Sequence, residues 1–409
     1  MNHKEKPPIK IRWISKNIVL SVGVWLLIRI VTSIWVALLS PLSPLTPVEN
    51  KIPAWPPSQP ITDWLNRLFL YPWERWDTRW YLTIINNGYH VGDGTTSFHP
   101  LYPLLATILK SFGITPLLGM MLISTISTFV CMYFIKRLSD HIYGDNESIY
   151  SVFIFLFFPL AFILFAPYTE ALFLAFSIGC FYYAYKHKWL LAGFIGMLAS
   201  LTRQQGVLLA IPILCEVWIY SNKSFHSLIT HYKGLFAALL PPSGMLLWIV
   251  IRGLAFTDVK PDLHSINGII YSIFISPSAN HVVPNASFTW PWVALWKAIS
   301  IVCKNPDIDL LTNLALGGIF LALFIYSWKY MGGSFKLYSF IVILISFSYQ
   351  TGSIHPYMGM PRHLFLAFPV FITLNILMKK PWQRLVWSAL GLIVMLFLLL
   401  QFVFESWVP

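Results

Sequence analysis

Charged side chains are scarce in this sequence. Asp, Glu, Lys and Arg make up 11% of its 409 residues, whereas hydrophobic residues make up 57%, and the mean hydropathy is +0.66. Soluble globular domains carry about 25% charged residues, so this composition excludes that class and indicates a polytopic membrane protein.

Cysteines are also few. Cys131, Cys180 and Cys215 fall within apolar runs and only Cys303 lies outside them, so no extracytoplasmic disulfide can form within the chain. The sequence has no Cys, His or acidic spacing typical of a metal site. We therefore expect neither a metal nor a cofactor.

Long apolar runs recur from residue 17 to residue 403. They are continuous rather than alternating, which predicts helices, and only helices or closed barrels satisfy their backbone in lipid. The sequence thus predicts an all-α membrane protein with about eleven spans, several of them short for a bilayer. The predicted spans are residues 17–39, 114–135, 148–166, 169–186, 189–202, 205–220, 234–251, 310–328, 337–351, 363–378 and 385–403.

The distribution of charge predicts the orientation. With residue 1 inside, the cytoplasmic segments hold sixteen basic and five acidic residues, and the outer segments hold eleven of each. Arg29, in the first span, completes the net charge of +12 and is expected to pack internally or to snorkel. Because the positive-inside rule accounts for the basic excess, no nucleic-acid partner is needed.

Two long outer segments interrupt a single domain of residues 1–409, one at about 40–113 and the other at about 252–309. The first begins with a proline-rich stretch. Helical spacing then predicts an amphipathic helix over 73–86, with Trp76, Trp80 and Ile84 on one stripe at the membrane surface. The apolar segment 98–112 is too short to span, which favours a re-entrant or interfacial helix.

The second outer segment has the tryptophans and prolines of an interfacial hairpin, together with a weak glycosylation pattern at 285–287. Its acidic residues show no metal-site pattern and are expected at the surface. They are Asp258, Asp262, Asp307 and Asp309.

Five strings resemble, in the same order, the PIG-V family, which comprises the second mannosyltransferases of glycosylphosphatidylinositol assembly and their prokaryotic relatives. The likeness extends from residue 17 to about residue 400. The strings are WDTRWYLTIINNGY at 76–89, FHPLYPLL at 98–105, FPLAFILFAPYTEALFLAFS at 158–177, LASLTRQQGVLLAIP at 198–212 and MPRHLFLAFPVF at 360–371.

This resemblance implies the GT-C architecture of polytopic glycosyltransferases, which take a sugar from a polyprenyl-phosphate donor without a metal. It also implies that Asp77 matches the acidic residue that such enzymes use at the acceptor. The chain departs from the family pattern at His99, where an aromatic residue is common, and at His363, where tyrosine is common.

Elementary chemistry gives Asp77 a reason to be the catalytic residue. A sugar hydroxyl is a poor nucleophile, so inverting transfer needs a carboxylate in hydrogen-bond reach to accept its proton. The alternative is a structural ion pair of Asp77 with Arg75, Arg79 or a lysine. Glu74 is a substitute candidate, but a solvated charge is the expectation there.

Arginines near the outer ends of spans are candidate phosphate ligands, since a guanidinium matches phosphate oxygens bidentately. Arg203 either binds the donor phosphate or pairs with Glu170, which lies in the first turn of a span, where a helix N-terminus favours negative charge. Glu170 is also a candidate for binding the acceptor or orienting Arg203. Arg362 is a second candidate phosphate contact.

Further candidate substrate-binding residues lie beside these charges. His99 either binds phosphate or hydrogen-bonds a backbone carbonyl, and the second role is the expectation. Tyr168 is expected as an interfacial aromatic, while Trp76 and Tyr81 are candidates for stacking on the sugar or the prenyl chain.

The sequence therefore predicts an integral membrane enzyme with a cytoplasmic N-terminus and an active site on the outer or luminal face. The expected membrane is the cell membrane in a prokaryote or the endoplasmic reticulum in a eukaryote. The predicted reaction is metal-independent, inverting transfer of mannose from a polyprenyl-phosphate donor to a glycolipid or glycan acceptor. The alternatives are a transporter or flippase of a lipid-linked sugar and a noncatalytic membrane subunit.

Overall fold

The computed structural model describes residues 11–42, 64–144, 148–256, 287–352 and 355–404. Within them the fold is almost entirely helical, in agreement with the sequence. The helices are α1 (Ile11–Leu39), α2 (Trp64–Phe69), α3 (Asp77–Asn87), α4 (Leu101–Ser111), α5 (Pro116–Tyr143), α6 (Ser148–Leu156), α7 (Glu170–Tyr185), α8 (Trp189–Thr202), α9 (Ala210–Tyr220), α10 (Phe225–Thr230), α11 (Tyr232–Ala255), α12 (Pro291–Lys304), α13 (Ile308–Ser327), α14 (Gly333–Ser348), α15 (Met360–Phe365), α16 (Pro369–Leu377) and α17 (Pro381–Val403).

The described strands are β1 (Ser287–Phe288) and β2 (Tyr349–Gln350), which pair antiparallel with Ser287 opposite Gln350. This short ribbon joins the second outer segment to the end of α14.

Five helices among the described residues are long and apolar enough to cross a membrane, which identifies the chain as a polytopic membrane protein. They are Val19–Leu42, Pro116–Ile142, Tyr232–Ala255, Ile308–Tyr330 and Pro381–Val403. All eleven predicted runs contain helix, but the number that spans the bilayer stays a prediction.

Proline explains why two predicted spans are broken. The run 148–166 gives α6 and then the 3-10 segment Pro159–Leu164, and the run 363–378 is divided between α15 and α16, which begins at Pro369. A proline ring has no N–H to donate and clashes with the preceding turn, so an α-helix does not continue through it, and a new helical segment begins at each proline instead.

The main hydrophobic core is centred on the helices after α5. The Phe365 ring stacks on both Phe155 and Phe158, with ring centroids 4.9 and 5.6 Å apart. Helix α17 packs along the segment Pro159–Leu164, and α7 packs against both α5 and α8. This buried centre carries the first residue of α7 and the short helix α15, which both contribute to the site described below.

The first outer segment forms a second, smaller core rather than a surface helix. Helix α3 begins at Asp77, four residues later than predicted, and Trp80, Tyr81 and Ile84 are buried. Tyr81 packs edge-on against Tyr102 of α4 at 5.1 Å. The predicted stripe of tryptophans at the membrane surface is therefore wrong, because α4 and α5 cover α3.

Two acidic residues expected in solvent are buried instead. Glu74 is 5% exposed, as is Asp309 in the first turn of α13. Asp307 accepts a hydrogen bond from the Leu310 N–H as the N-cap of α13. Asp258, Asp262 and Asn285, the acceptor residue of the glycosylation pattern, lie outside the described residues.

Arg29 packs inside the protein, as the sequence suggested. Its guanidinium lies over the Trp73 ring at 5.1 Å and the Phe165 ring at 5.5 Å. Such contacts keep a cation of the first span within the protein.

Candidate active site

Asp77 is the first residue of α3, and a strained residue places it there. Trp76 has φ 49° and ψ −120°, a backbone conformation that residues with a Cβ avoid. Such a conformation costs on the order of 1–3 kcal/mol and persists only where the surrounding structure enforces it. Trp76 thus lies outside the helix and turns the chain so that Asp77 starts α3, where the helix N-terminus favours its negative charge.

The partner of Asp77 is Arg362, from α15. Arg362 Nη1 donates to Asp77 Oδ2 at 2.6 Å, and Arg362 Nε lies 3.2 Å from Glu170 Oε1. The predicted alternative had Asp77 paired with Arg75, Arg79 or a lysine. Arg75 instead donates hydrogen bonds to backbone carbonyls, those of Tyr71 and Val403 among them.

A second arginine contacts the same oxygen of this glutamate. Arg203 Nη1 donates to Glu170 Oε1 at 2.7 Å and to Thr169 Oγ1 at 2.8 Å. One of the two predicted roles of Arg203, the ion pair with Glu170, is therefore present. The four charged side chains form a continuous series in the order Asp77, Arg362, Glu170, Arg203.

The side chains of this series differ in exposure. The Glu170 side chain is fully buried, whereas Asp77, Arg362 and Arg203 are 18%, 15% and 11% exposed. A buried carboxylate therefore holds two partly exposed guanidiniums, and one of them, that of Arg362, also contacts Asp77. The two positive and two negative charges balance, which limits the desolvation cost of placing them together.

The charges also set the protonation state of Arg362. Burial alone would lower the pKa of this guanidinium, but the negative charges of Asp77 and Glu170 raise it above its ordinary value. Arg362 is therefore a permanent cation, suited to an anionic ligand.

Arg203 occupies a corner between two helical segments. Its backbone is extended, with φ −153° and ψ 148°, between the end of α8 and the 3-10 segment Gln204–Leu209. The corner is tight because a Cβ on Gly206 would collide with the backbone of Ser200 in α8. A glycine is needed where two backbones approach so closely.

Two buried tyrosines, Tyr81 and Tyr168, lie next to the four charged side chains. The Arg362 guanidinium lies 5.3 Å from the ring centre of Tyr168, whose hydroxyl donates to the Arg75 carbonyl. Tyr168 is thus a buried support and not an interfacial aromatic. The Tyr81 hydroxyl interacts with Thr169, and burial, assisted by the charge of Asp77, raises the pKa of this phenol.

The two histidines that depart from the family pattern lie beside the arginines. His99 Nδ1 is 2.7 Å from the Ser200 carbonyl oxygen, the backbone contact that the sequence favoured. Burial lowers the pKa of His99 to about 4, with the charges of Arg203 and Arg252 acting in the same direction. His363 Nδ1 lies 3.3 Å from Gln205 Nε2.

Thr169 and Gln205 join the site without having been predicted. Thr169 lies between Tyr168 and Glu170, and Gln205 lies two residues after Arg203. Thr169 also directly precedes α7, a position where threonine is common as an N-cap. Here its side chain accepts from Arg203 instead. Only the fold shows that partner.

No group of three or more His, Cys, Asp or Glu side chains in the described part of the chain is placed to hold a metal ion. The chemistry that the site can supply from its own residues is proton acceptance by Asp77 and anion binding by two arginines.

Residues 99–248, more than a third of the chain, match the family model described as dolichyl-phosphate-mannose-protein mannosyltransferase. The matched region contains His99, Tyr168, Glu170 and Arg203 but not Asp77 or Arg362. This match supports a membrane glycosyltransferase that uses a lipid-linked donor. No curated protein sequence matches the chain.

The solved structures that resemble the chain include the Archaeoglobus fulgidus oligosaccharyltransferase. Its complex with Zn and sulfate is 13% identical, with a TM-score of 0.44, and the match covers 93% of this chain and 53% of that one. The apo form is 12% identical, with a TM-score of 0.41, over 98% and 57% of the two chains.

The archaeal oligosaccharyltransferase AglB from Archaeoglobus fulgidus, in complex with an inhibitory peptide and a dolichol-phosphate, is 12% identical, with a TM-score of 0.36, over 93% and 56% of the two chains. The chain thus spans about half the length of these structures, and scores below 0.5 do not establish a shared fold. The helical membrane architecture and the family match agree with the GT-C expectation.

Proposed function

We propose that this protein is an inverting GT-C mannosyltransferase that uses polyprenyl-phosphate-mannose at the outer or luminal face of its membrane. The observation that carries the proposal is that the partly exposed Asp77 carboxylate contacts Arg362, which shares the buried Glu170 with Arg203. The proposed reaction requires a carboxylate to accept a proton and cationic side chains to bind the donor phosphate.

Asp77 is the general base of the proposed reaction. Its carboxylate accepts the proton of the acceptor hydroxyl as the oxygen forms a bond to C1 of the sugar, on the face opposite the phosphate. The bond between C1 and the phosphate oxygen breaks, and its electron pair leaves with the phosphate. Because a phosphate is a good leaving group, no general acid is required.

Arg362 and Arg203 bind the departing phosphate and stabilise the charge that grows on it. Arg362 donates to Asp77 Oδ2 in the structure, so a donor phosphate would compete with Asp77 for the same guanidinium. Exchange of that hydrogen bond would free Asp77 as the donor binds. Glu170 has no direct role in proton transfer and holds both arginines in position.

The acceptor could be a glycolipid or glycan, or a protein. Resemblance to the PIG-V family favours a glycolipid or glycan, whereas the matched family model is named for transfer to protein. We propose the glycolipid or glycan class, because the likeness extends over strings that contain Asp77 and Arg362 as well as the matched region.

The transporter alternative is weaker. It would need acidic or polar residues at mid-membrane depth in several spans, whereas the charged series lies at the beginnings of α3, α7 and α15 and at the end of α8. A noncatalytic subunit remains an outcome of the test below.

The test is Asp77→Asn in membranes supplied with radiolabelled polyprenyl-phosphate-mannose. Asparagine keeps the size and a hydrogen-bond acceptor for Arg362 but cannot accept the proton, so transfer should fall by roughly 100-fold or more. Lipid, glycan and peptide acceptors are assayed in parallel.

The matched control is Asp93→Asn. Asp93 lies in the same outer segment, where its Oδ1 accepts from the Thr95 N–H and hydroxyl, which an asparagine oxygen can also do. Its transfer rate should equal that of the wild type. Near-normal transfer by Asp77→Asn would overturn the general-base assignment, and no transfer by the wild type to any acceptor class would favour the alternatives.

A further inference from the structure

An apolar cavity opens between α13, α16 and α17, and none of the four charged side chains of the site lines it. Its volume is about 540 Å³, within the range of about 300–1,000 Å³ that is typical of ligand sites. The side chains that line it are almost all apolar, and they include Leu316, Leu323, Leu374, Val386, Leu390 and Val394. Leu390 and Val386 are 58% and 45% exposed, so the cavity is accessible to lipid from the side.

The cavity lies toward the end of α17 that is remote from Asp77. The Val403 carbonyl, at the C-terminal end of α17, accepts a hydrogen bond from Arg75, two residues before Asp77. The cavity is instead lined by the N-terminal half of α17, from Trp382 to Val394. At about 1.5 Å per residue, Trp382 is on the order of 30 Å from Val403, about the thickness of the hydrocarbon core.

Basic residues surround this remote end. Lys379 and Lys380 are exposed between Met378 and Trp382, which both line the cavity, and Lys329 follows α13 on the other side. The segments 326–336 and 378–384 together contain five basic residues and no Asp or Glu. Trp382 is 59% exposed, which is typical of an indole at the headgroup level.

We propose that this cavity is a binding site for an anionic phospholipid of the surrounding bilayer. One acyl chain lies along the apolar wall of α13 and α17, and the lipid phosphate contacts Lys379 and Lys380. Basic pockets between membrane helices on the cytoplasmic side recognise anionic headgroups in this way.

The placement distinguishes this ligand from the sugar donor. A donor with its phosphate at Arg362 would have its headgroup at the opposite face of the membrane from Lys379. The occupant is therefore a structural lipid of the inner leaflet, and its binding does not depend on the proposed chemistry.

The test is native mass spectrometry of the full chain in detergent, titrated with phosphatidylglycerol or with phosphatidylcholine of the same acyl chains. The wild type should bind phosphatidylglycerol more tightly. The double variant Lys379→Gln, Lys380→Gln should lose this preference by roughly 10-fold or more. Leu390→Trp, which fills the cavity, should weaken the binding of both lipids; Val386→Phe replaces it if that variant does not fold.

The matched control removes two exposed lysines elsewhere on the same predicted membrane face, with Lys223→Gln and Lys233→Gln, and should leave the preference unchanged. If this control lost the preference for phosphatidylglycerol to the same extent, surface charge alone would attract the lipid, and the proposed site would be wrong. Full phosphatidylglycerol binding by the folded cavity-filling variant would overturn it as well. Selective retention of a prenyl phosphate independent of Lys379 and Lys380 would have the same consequence.

Discussion

The carboxylate of Asp77 lies 2.6 Å from the guanidinium of Arg362, although 285 positions of sequence separate the two residues. The same guanidinium lies 3.2 Å from Glu170. Because Arg362 contacts both carboxylates, an anionic donor phosphate that binds this guanidinium would compete with Asp77 for it, and Arg362 is therefore central to the proposed mechanism.

Replacement of Arg362 by lysine keeps one charge but loses the fork that reaches Asp77 and Glu170 together. We expect the transfer rate at saturating donor to fall by on the order of 100-fold, as when one preorganised donor to a transition state is lost, and the donor KM to rise. Steady-state kinetics with varied donor measures both. Arg137→Lys, at a partly exposed arginine that contacts Tyr182, is the control; an unchanged rate in Arg362→Lys would contradict the phosphate role.

Glu170→Gln removes the carboxylate that Arg203 and Arg362 share, so Asp77 remains as the only carboxylate of the series, in contact with Arg362 alone. Breaking a buried charge pair by removing one partner costs roughly 3–5 kcal/mol, so we expect a clear loss of thermal stability in detergent as well as of activity. The control is Glu216→Gln at another buried glutamate, whose Oε1 accepts from the Ser334 hydroxyl, a bond that glutamine can also accept. If Glu170→Gln unfolded at the wild-type temperature, the buried link would not hold the arginines.

Gly206→Ala should disturb the corner that carries Arg203. The added methyl meets the Ser200 backbone, so the segment Gln204–Leu209 must shift and Arg203 with it. We expect a rise in donor KM and a destabilisation of about 1–3 kcal/mol, as is usual for overpacking. Gly318→Ala, in the same protein but with open space around its Cα, should have no such effect, and equal behaviour of the two variants would argue against a tight corner.

The stability of the protein should fall in mild acid because of His99. Its pKa of about 4 in the folded state lies below the ordinary value of about 6.5. Above pH 6.5 the imidazole is neutral in both states. As the pH falls from 6.5 to 4 only the unfolded chain takes up the proton, so the free energy of unfolding decreases, by at most about 3 kcal/mol.

Unfolding in detergent at pH 7.5, 5.5 and 4.5 measures this loss. In His99→Asn the amide N–H can still donate to the Ser200 carbonyl but does not titrate, so the decline should be shallower than in the wild type. Parallel pH curves for the two proteins would assign the decline to other groups.

Chelation of divalent metal ions should leave sugar transfer unchanged. The proposed reaction draws its positive charge from Arg203 and Arg362, so none is required from a metal. Transfer assayed with and without excess EDTA checks this. Loss of activity that Mg²⁺ or Mn²⁺ restores would contradict the metal-independent proposal.

Sequence patterns identified most of the helices because a continuous apolar run has few alternatives in a membrane. They also indicated the pair Arg203 and Glu170, since both residues were predicted at outer helix ends. Sequence patterns failed where burial depends on contacts between residues that are far apart in the sequence. Glu74 was expected in solvent, and the helix that carries Trp80 was expected at the membrane surface, because helical spacing shows which residues share a face but not what covers that face.

The sequence by itself determined that the chain is a helical membrane protein and that Asp77, Glu170, Arg203 and Arg362 are its candidate site residues, because charge is costly in an apolar chain and its rare positions are informative. Only the tertiary structure decided how these residues are connected. Glu170 is shared by two arginines and Asp77 is held by one of them, since the order of contacts depends on the packing of α3, α7 and α15, which no local pattern encodes.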